Sequence, residues 1–301
     1  ADLPGISLAL GLIGAVAVVS ISALLSKSDL MAPIRYCGRN SIVIYLAFFL
    51  PMAVSRTVLL KLGVIDDIGT ISLLDAMRAA DVEKIIFSST CAIFGNISHR
   101  ISESDEQRPI NPYGASKLMV ERILKDYAAA FGIASVALRY FNAAGSDPDG
   151  ELGEVHEPET HLIPLALLAA AGQLEKLSVF GTDYDTPDGT CIRDYIHVTD
   201  LADAHVRALA ALEEGRFKAF NLGNGNGYSV KQVIDRSAFI TGKPVPWQAA
   251  PRRQGDPPSL VADATAAACA LGWKPIYSSL DDMLEHAWKF LTEHRKGLLE
   301  R

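Results

Sequence analysis

Hydrophobic positions are spread very unevenly along the chain. Residues 6–25 (ISLALGLIGAVAVVSISALL) hold no charge at all, and about twenty apolar residues are what a helix needs to cross a hydrocarbon core. A second apolar stretch, 41–60, is interrupted by Pro51 and Arg56 and reads as a shorter, kinked span or an interfacial segment. Lys27, Arg35 and Arg39 lie between the two, which would put that link on the cytoplasmic side of a membrane. A buried core helix of a soluble domain is the competing reading. A secretory leader fits poorly, because no basic stretch precedes the run.

After Gly69 the periodicity changes. Apolar residues at helical spacing predict a helix over 71–80, and 84–87 predicts a strand that ends in small polar residues. Helices follow at Pro112–Phe131, 164–171, 201–212 with Asp200 as N-cap, 229–241 with Ser229 as cap, 262–271 and Leu280–His294. Strands are expected at 134–138 and Phe217–Leu222. Short strands alternating with helices of this length predict an α/β chain with a mainly parallel, doubly wound sheet. The Gly- and Pro-rich stretch 242–258 reads as an ordered loop. The expected organisation is an apolar helical segment, 1–66, followed by an α/β domain, 67–301.

Composition sharpens the division. The 301 residues carry a formal charge of −7, which argues against a nucleic-acid binder. Residues 1–62 hold five basic and two acidic side chains, a local +3, so the remainder carries −10. Cys37, Cys91, Cys191 and Cys269 lie far apart without a CxxC pair, so no disulfide framework or zinc knuckle is indicated and a reduced, cytoplasmic compartment is the simplest expectation.

The chemistry gathers after the first predicted strand. Ser88, Ser89 and Thr90 place three hydroxyls where a doubly wound sheet holds its ligands. In a bland loop the same residues would merely cap backbone groups. Tyr113 and Lys117 then fall four residues apart at the start of the predicted helix, on one face. An ammonium so close favours the phenolate and suits Tyr113 to general-base work. The spacing alone is weak; joined to the hydroxyl cluster it is a strong signal.

These words carry a resemblance. SSTCAIFG (88–95), NPYGASK (111–117) and RYFNAAG (139–145) resemble the extended short-chain dehydrogenase/reductase superfamily. PETHLIP (158–164), VFGTDYDTPDGTCIRDYIHVTDLADAH (179–205), NLGNGNGYSV (221–230) and PRRQGDPP (251–258) narrow it to the UDP-glucose 4-epimerase family, from about residue 69 onward. The resemblance implies NAD as cofactor and UDP-glucose and UDP-galactose as substrates. Thr90, Tyr113 and Lys117 match the catalytic positions. Ser88, Ser89, Tyr113, Lys117 and Phe141 match the cofactor side. Thr90, Asn142, Thr160, His161, Leu162, Arg193, Arg253 and Asp256 match substrate contacts, the two arginines on the UDP diphosphate. A homodimer through helices that include the Tyr113 helix is also implied.

The same resemblance sets a limit. The family opens on a strand, a glycine-rich turn and a helix that cradle the cofactor diphosphate, and no such fingerprint is legible here. Gly11 and Gly14 lie in the uncharged run without a third glycine at position 17. Residues 35–63 instead resemble the last spans of a bacterial integral-membrane acyltransferase. An incomplete doubly wound sheet with a shortened cofactor-binding start is therefore expected. Two alternatives to the epimerase stay open: a related nucleotide-sugar dehydratase or reductase, and an inactive fragment tethered to a membrane.

Other features are read as structural. His156, Glu157 and His161 match no usual ligand spacing, and no metal is expected. GNGNG at 223–227 is not GxGxxG, because Tyr228 stands at the third glycine position. Cys91 reads as a small packing residue, and Trp247, Trp273 and Trp288 as core.

Overall fold

The computed structural model describes residues 67–294 apart from positions 157 and 254. The apolar segment 1–66 and its two predicted spans lie outside the described residues. Among the described residues no helix is long and apolar enough to cross a membrane.

The chain divides into two compact units. The first comprises 67–89, 115–137 and 208–219 among the described residues. It contains α1 (Asp67–Ala79) and most of β1 (Lys84–Thr90) and α2 (Pro112–Phe131). The early parts of β2 (Ala134–Tyr140) and β6 (Phe217–Leu222) complete it. The strands pair in the order β1-β2-β6, and β1–α2–β2 is the βαβ succession that the alternating pattern predicted. Leu74 and Met77 of α1, Ile85 and Phe87 of β1, and Val120 and Leu124 of α2 form one core with Ile133 and Ala137. The helix at Pro112–Phe131 has the bounds read from sequence, with Pro112 opening it. The strand 84–87 is longer than expected: it runs through Ser88 and Ser89 to Thr90. Ser89 is fully buried, and its hydroxyl donates to the buried Glu121 carboxylate, so a polar residue remains in the sheet at little cost.

The second unit holds 90–114, 138–207 and 220 onward. Its main sheet is β3 (Asn142–Ala144), β5 (Ile192–His197) and β7 (Gly227–Ser229), with β9 (Ser259–Leu260) added on β5. β3 and β9 run parallel to β5, and β7 runs antiparallel. The stretch 242–258 is not all loop: Trp247–Ala250 forms β8, parallel to β4 (Leu177–Phe180). This two-stranded ribbon leaves Trp247 40% exposed, against the expectation that it is core. Trp273 is buried at 1% exposure, and Trp288 is partly buried against the main cluster. Helices α3 (Leu162–Ala170), α5 (Val230–Thr241) and α7 (Leu280–His294) supply Ile163, Leu167, Val233, Met283 and Leu284 to that cluster. Ser229 caps α5 as expected, in a reciprocal capping box with Gln232.

Helix α4 (Val198–Ala208) begins earlier than read, and a short 3₁₀ turn (Leu209–Ala211) follows it. Asp200 is inside its first turn rather than its cap. The Asp200 carboxylate instead accepts from the backbone N–H groups of Ile276 and Tyr277, at 2.8 and 3.0 Å. Its carbonyl accepts from the Trp273 indole at 2.9 Å. Helix α6 (Thr265–Leu271) is shorter than predicted.

His197, at the end of β5, is fully buried. Its Nδ1 accepts from Thr199 N–H at 3.1 Å, so Nε2 carries the proton and donates to His286 Nδ1 at 3.0 Å. Burial, with the facing His286, pushes the His197 pKa down to about 4; Asp282 and Asp147 act weakly the other way. The unfolded imidazole titrates near 6.5. His197 therefore contributes stability above that value and loses it as the pH falls from 6.5 toward 4. Between pH 7 and pH 5 we expect a loss of about 2 kcal/mol from this group. Urea unfolding of His197→Asn, whose amide oxygen can still accept from Thr199, should show that much less change between the two pH values. An unchanged difference would remove His197 as the cause.

Candidate functional site

In the first unit, Lys117 rises from the first half of α2 and donates Nζ to the Ser88 carbonyl at the carboxyl end of β1, at 3.0 Å. The ammonium also stands 4.8 Å from the Phe87 ring centroid. Glu121, one turn further along α2 and 3% exposed, receives the Ser89 hydroxyl. Of the two serines expected on the cofactor side, Ser88 meets the lysine through its backbone carbonyl, and the Ser89 hydroxyl is turned inward onto Glu121. Glu121 was not singled out from sequence, although its spacing of four from Lys117 and eight from Tyr113 puts it on the same helical face.

The other candidates belong to the second unit. Thr90 ends β1, and its Oγ1 accepts from Ala92 N–H at 3.2 Å, capping the turn Cys91–Ile93. Tyr113 is in the opening turn of α2 and is 54% exposed, so its phenol is accessible. Asn111 fixes that opening by accepting from Gly114 N–H at 2.7 Å. Cys91 is a packing residue as read: burial pushes its thiol up to about 12, far from a reactive thiolate. Phe141 is buried, and Asn142 donates its amide to the Asp194 carbonyl at 2.7 Å.

Two of the expected diphosphate and ribose contacts meet directly. Arg193 on β5 donates Nη2 to Asp256 Oδ1 at 3.2 Å, and its Nη1 to the Ile192 carbonyl at 2.8 Å. The Arg193 side chain is 13% exposed. Arg253 is described elsewhere, its guanidinium 4.1 Å over the Phe180 ring. Thr160 and His161 precede α3, and their backbone N–H groups both donate to Glu159. Leu162, expected in the loop, is the first residue of α3.

Asp194 was missed: the strand IRDYIH is rich in ionisable residues, so nothing local marks this acid as the buried one. It is fully buried, and its carboxylate accepts from the N–H groups of Asn224, Gly225 and Ala262 at 2.9–3.0 Å. Burial pushes its pKa up to about 6 despite those three donors. Two of the three glycines beside it are closed by protein. A Cβ on Gly223 would lie 2.5 Å from Ala262 Cβ and Asp194 Oδ2, and one on Gly227 would lie 2.4 Å from Ile192 Cγ2. GNGNG is therefore a close-packing turn rather than an open diphosphate cradle.

The residues expected on the cofactor side present one cationic donor that NAD could use. Lys117 offers an ammonium anchored at the strand end, one helical turn from the accessible Tyr113. No glycine cradle for the diphosphate is found among the described residues. His156, Glu159 and His161 do gather, with Glu154 as the fourth member; Glu157 lies outside the described residues.

Fold and site together define an α/β nucleotide-cofactor enzyme with a YxxxK centre. Residues 39–223 match the NAD dependent epimerase/dehydratase family, starting inside the apolar segment, and the chain belongs to that family. It is 52% identical over 232 residues to a UDP-glucose 4-epimerase of Halalkalibacterium halodurans, spanning 76% of this chain and 70% of that one. A Rhizobium meliloti UDP-glucose 4-epimerase is 51% identical over the same shares. Among solved structures, the Brucella ovis UDP-glucose 4-epimerase in complex with NAD superposes with a TM-score of 0.70 at 53% identity, over 74% of this chain and 70% of that one. The Bifidobacterium longum enzyme in complex with NAD+ and UDP gives 0.72 at 40% identity, over 76% and 69%.

Proposed function

We propose that the chain interconverts UDP-glucose and UDP-galactose by inverting C4 of the sugar, with NAD as cofactor. The carrying observation is the accessible Tyr113 one helical turn before Lys117, whose ammonium is anchored at the end of β1. Tyr113 takes the proton of the sugar 4-hydroxyl, and the Lys117 ammonium favours the phenolate that does so. The Thr90 hydroxyl, whose oxygen accepts from Ala92 N–H, is the hydrogen-bonding group offered to the sugar oxygen. When bound, NAD would supply reversible hydride acceptance at the sugar C4. Arg193 holds the diphosphate while Asp256 steadies its guanidinium, which leaves the sugar free to turn. On this reading Ser88 and Phe141 are cofactor contacts, Asn142, Thr160, His161, Leu162 and Arg253 are contacts of the nucleotide sugar, and Ser89, buried on Glu121, supports β1 from within.

A dehydratase fits less well. Elimination of water calls for an acid and a base beside the hydroxyl cluster, where this chain has the protonated Cys91 and Ala92. The test is conversion of UDP-galactose by the full chain with added NAD. Formation of UDP-glucose is expected, and no conversion with NAD and UDP both bound would overturn the reading.

The fork of Arg193 matters beyond its charge, because two parallel N–H donors match paired phosphate oxygens. Arg193→Lys should weaken UDP about tenfold by calorimetry, equivalent to about 1.4 kcal/mol. Unchanged affinity would place the diphosphate elsewhere.

A further inference from the structure

Four side chains converge before α3, and of these only His161 has a part in the reading above, as a contact of the nucleotide sugar. Glu154, His156, Glu159 and His161 bring one ligand-capable atom each to within 4.8 Å of one another. His161 Nδ1 lies 2.7 Å from Glu154 Oε1 and 3.1 Å from Glu159 Oε1, and His156 Nδ1 lies 3.8 Å from Glu159 Oε1. A tetrahedral centre with bonds of about 2.0–2.1 Å sets its donor atoms about 3.3 Å apart. These three of the six separations bracket that value; the closest pair need part by about 0.6 Å, and the widest, within 4.8 Å, close by at most about 1.5 Å.

The cluster is also held in place. Glu159 Oε1, the oxygen nearest both imidazoles, accepts from Thr160 N–H and His161 N–H, at 2.7 and 2.8 Å, which fixes where this carboxylate sits. The Glu159 side chain is 10% exposed. Upstream, the loop is tied to α7: Lys289 donates to the Pro148 carbonyl at 2.9 Å, and a Cβ on Gly153 would lie 2.2 Å from the Phe290 ring. Downstream, His161 is the residue on which α3 begins. Both ends of the ligand loop are thus fixed before anything binds, which lowers the ordering cost of binding.

We infer that Glu154, His156, Glu159 and His161 form a site for a divalent transition-metal ion of the zinc class. Two imidazoles and two carboxylates suit Zn²⁺ or Co²⁺, whereas Mg²⁺ and Ca²⁺ call for oxygen donors alone. Two carboxylates also balance the charge of one divalent ion. This set differs from the trio weighed in the sequence, His156, Glu157 and His161: Glu154 and Glu159 stand in place of Glu157.

Cobalt reports such a site by the visible absorption of its tetrahedral complexes. The full chain, free of any histidine tag and stripped with a chelator, is titrated with Co²⁺ and followed by absorption. One equivalent with tetrahedral bands is expected, displaced by Zn²⁺ and insensitive to Mg²⁺. His156→Ala and His161→Ala should each weaken Co²⁺ at least about tenfold, with unchanged far-ultraviolet circular dichroism. Glu154→Gln, on an exposed side chain, should keep the fold and alter the bands. Cobalt that binds without tetrahedral bands, or equally to wild type and both histidine variants, would overturn the site and leave the four residues as ion pairs alone.

Discussion

Tyr113→Phe should lower the rate of UDP-galactose conversion by about 10²–10⁴-fold, the range that a positioned acid–base group contributes, while UDP affinity stays unchanged. The variant deletes one oxygen from a side chain that is 54% exposed and lies at the open end of α2. Little of the fold rests on it. The α2 start is fixed by Asn111 on Gly114 N–H, and the Lys117 ammonium by the Ser88 carbonyl, so both survive the substitution. What disappears is the group that takes the sugar proton. Turnover and UDP affinity therefore separate: kcat falls, and UDP calorimetry is unmoved. Retention of more than about a tenth of the rate, well above the acid–base range, would mean that the proton goes elsewhere. A loss of UDP affinity in step with the rate would instead mean that the opening of α2 had shifted.

The sequence reveals local elements well and long-range pairs poorly, for a physical reason. Pro112–Phe131 and Leu280–His294 match their predicted bounds because helical periodicity, an opening proline and flanking turns are properties of neighbouring residues. β1 is misjudged at its end: Ser88, Ser89 and Thr90 look like loop, yet the strand continues because Glu121, 32 positions away, accepts the Ser89 hydroxyl. The same holds for Asp200, which looks like a cap and is in fact a tether for a segment 76 positions on. Trp247 looks like core because its bulk is visible and the ribbon that exposes it is not. In the candidate site, Tyr113 and Lys117 are legible as a spacing within one helix. The Arg193–Asp256 pair spans 63 positions, and only family resemblance marks both partners beforehand. Charge follows the same rule. The −7 of the whole chain hides a +3 start and a −10 remainder, unlike pieces that a single total cannot separate.

Asp194→Ala should cost about 4 kcal/mol or more of unfolding free energy, among the largest losses that a single substitution brings. The reason is the number of donors stranded. Asn224, Gly225 and Ala262 each point a backbone N–H at this one carboxylate, in a place without solvent exposure. An unpaired buried donor costs about 1–3 kcal/mol, and alanine leaves three. Asp194→Asn discriminates between lost acceptors and lost charge. A carboxamide oxygen placed at Oδ2 still serves Gly225 and Ala262, but the NH₂ then faces the Asn224 N–H. Its cost should fall between wild type and alanine, about 1–2 kcal/mol. The damage should also reach the diphosphate. Ala262 follows β9, β9 pairs with β5 at Arg193, and Asp256 on the approach to β9 is the partner of the Arg193 guanidinium. Loosening Ala262 therefore loosens the group that aligns the arginine. UDP affinity of Asp194→Asn should drop even where the variant is fully folded, and urea midpoints measured beside UDP calorimetry separate the two effects. An alanine variant with the wild-type midpoint would show that the three N–H groups find other acceptors and that Asp194 organises nothing.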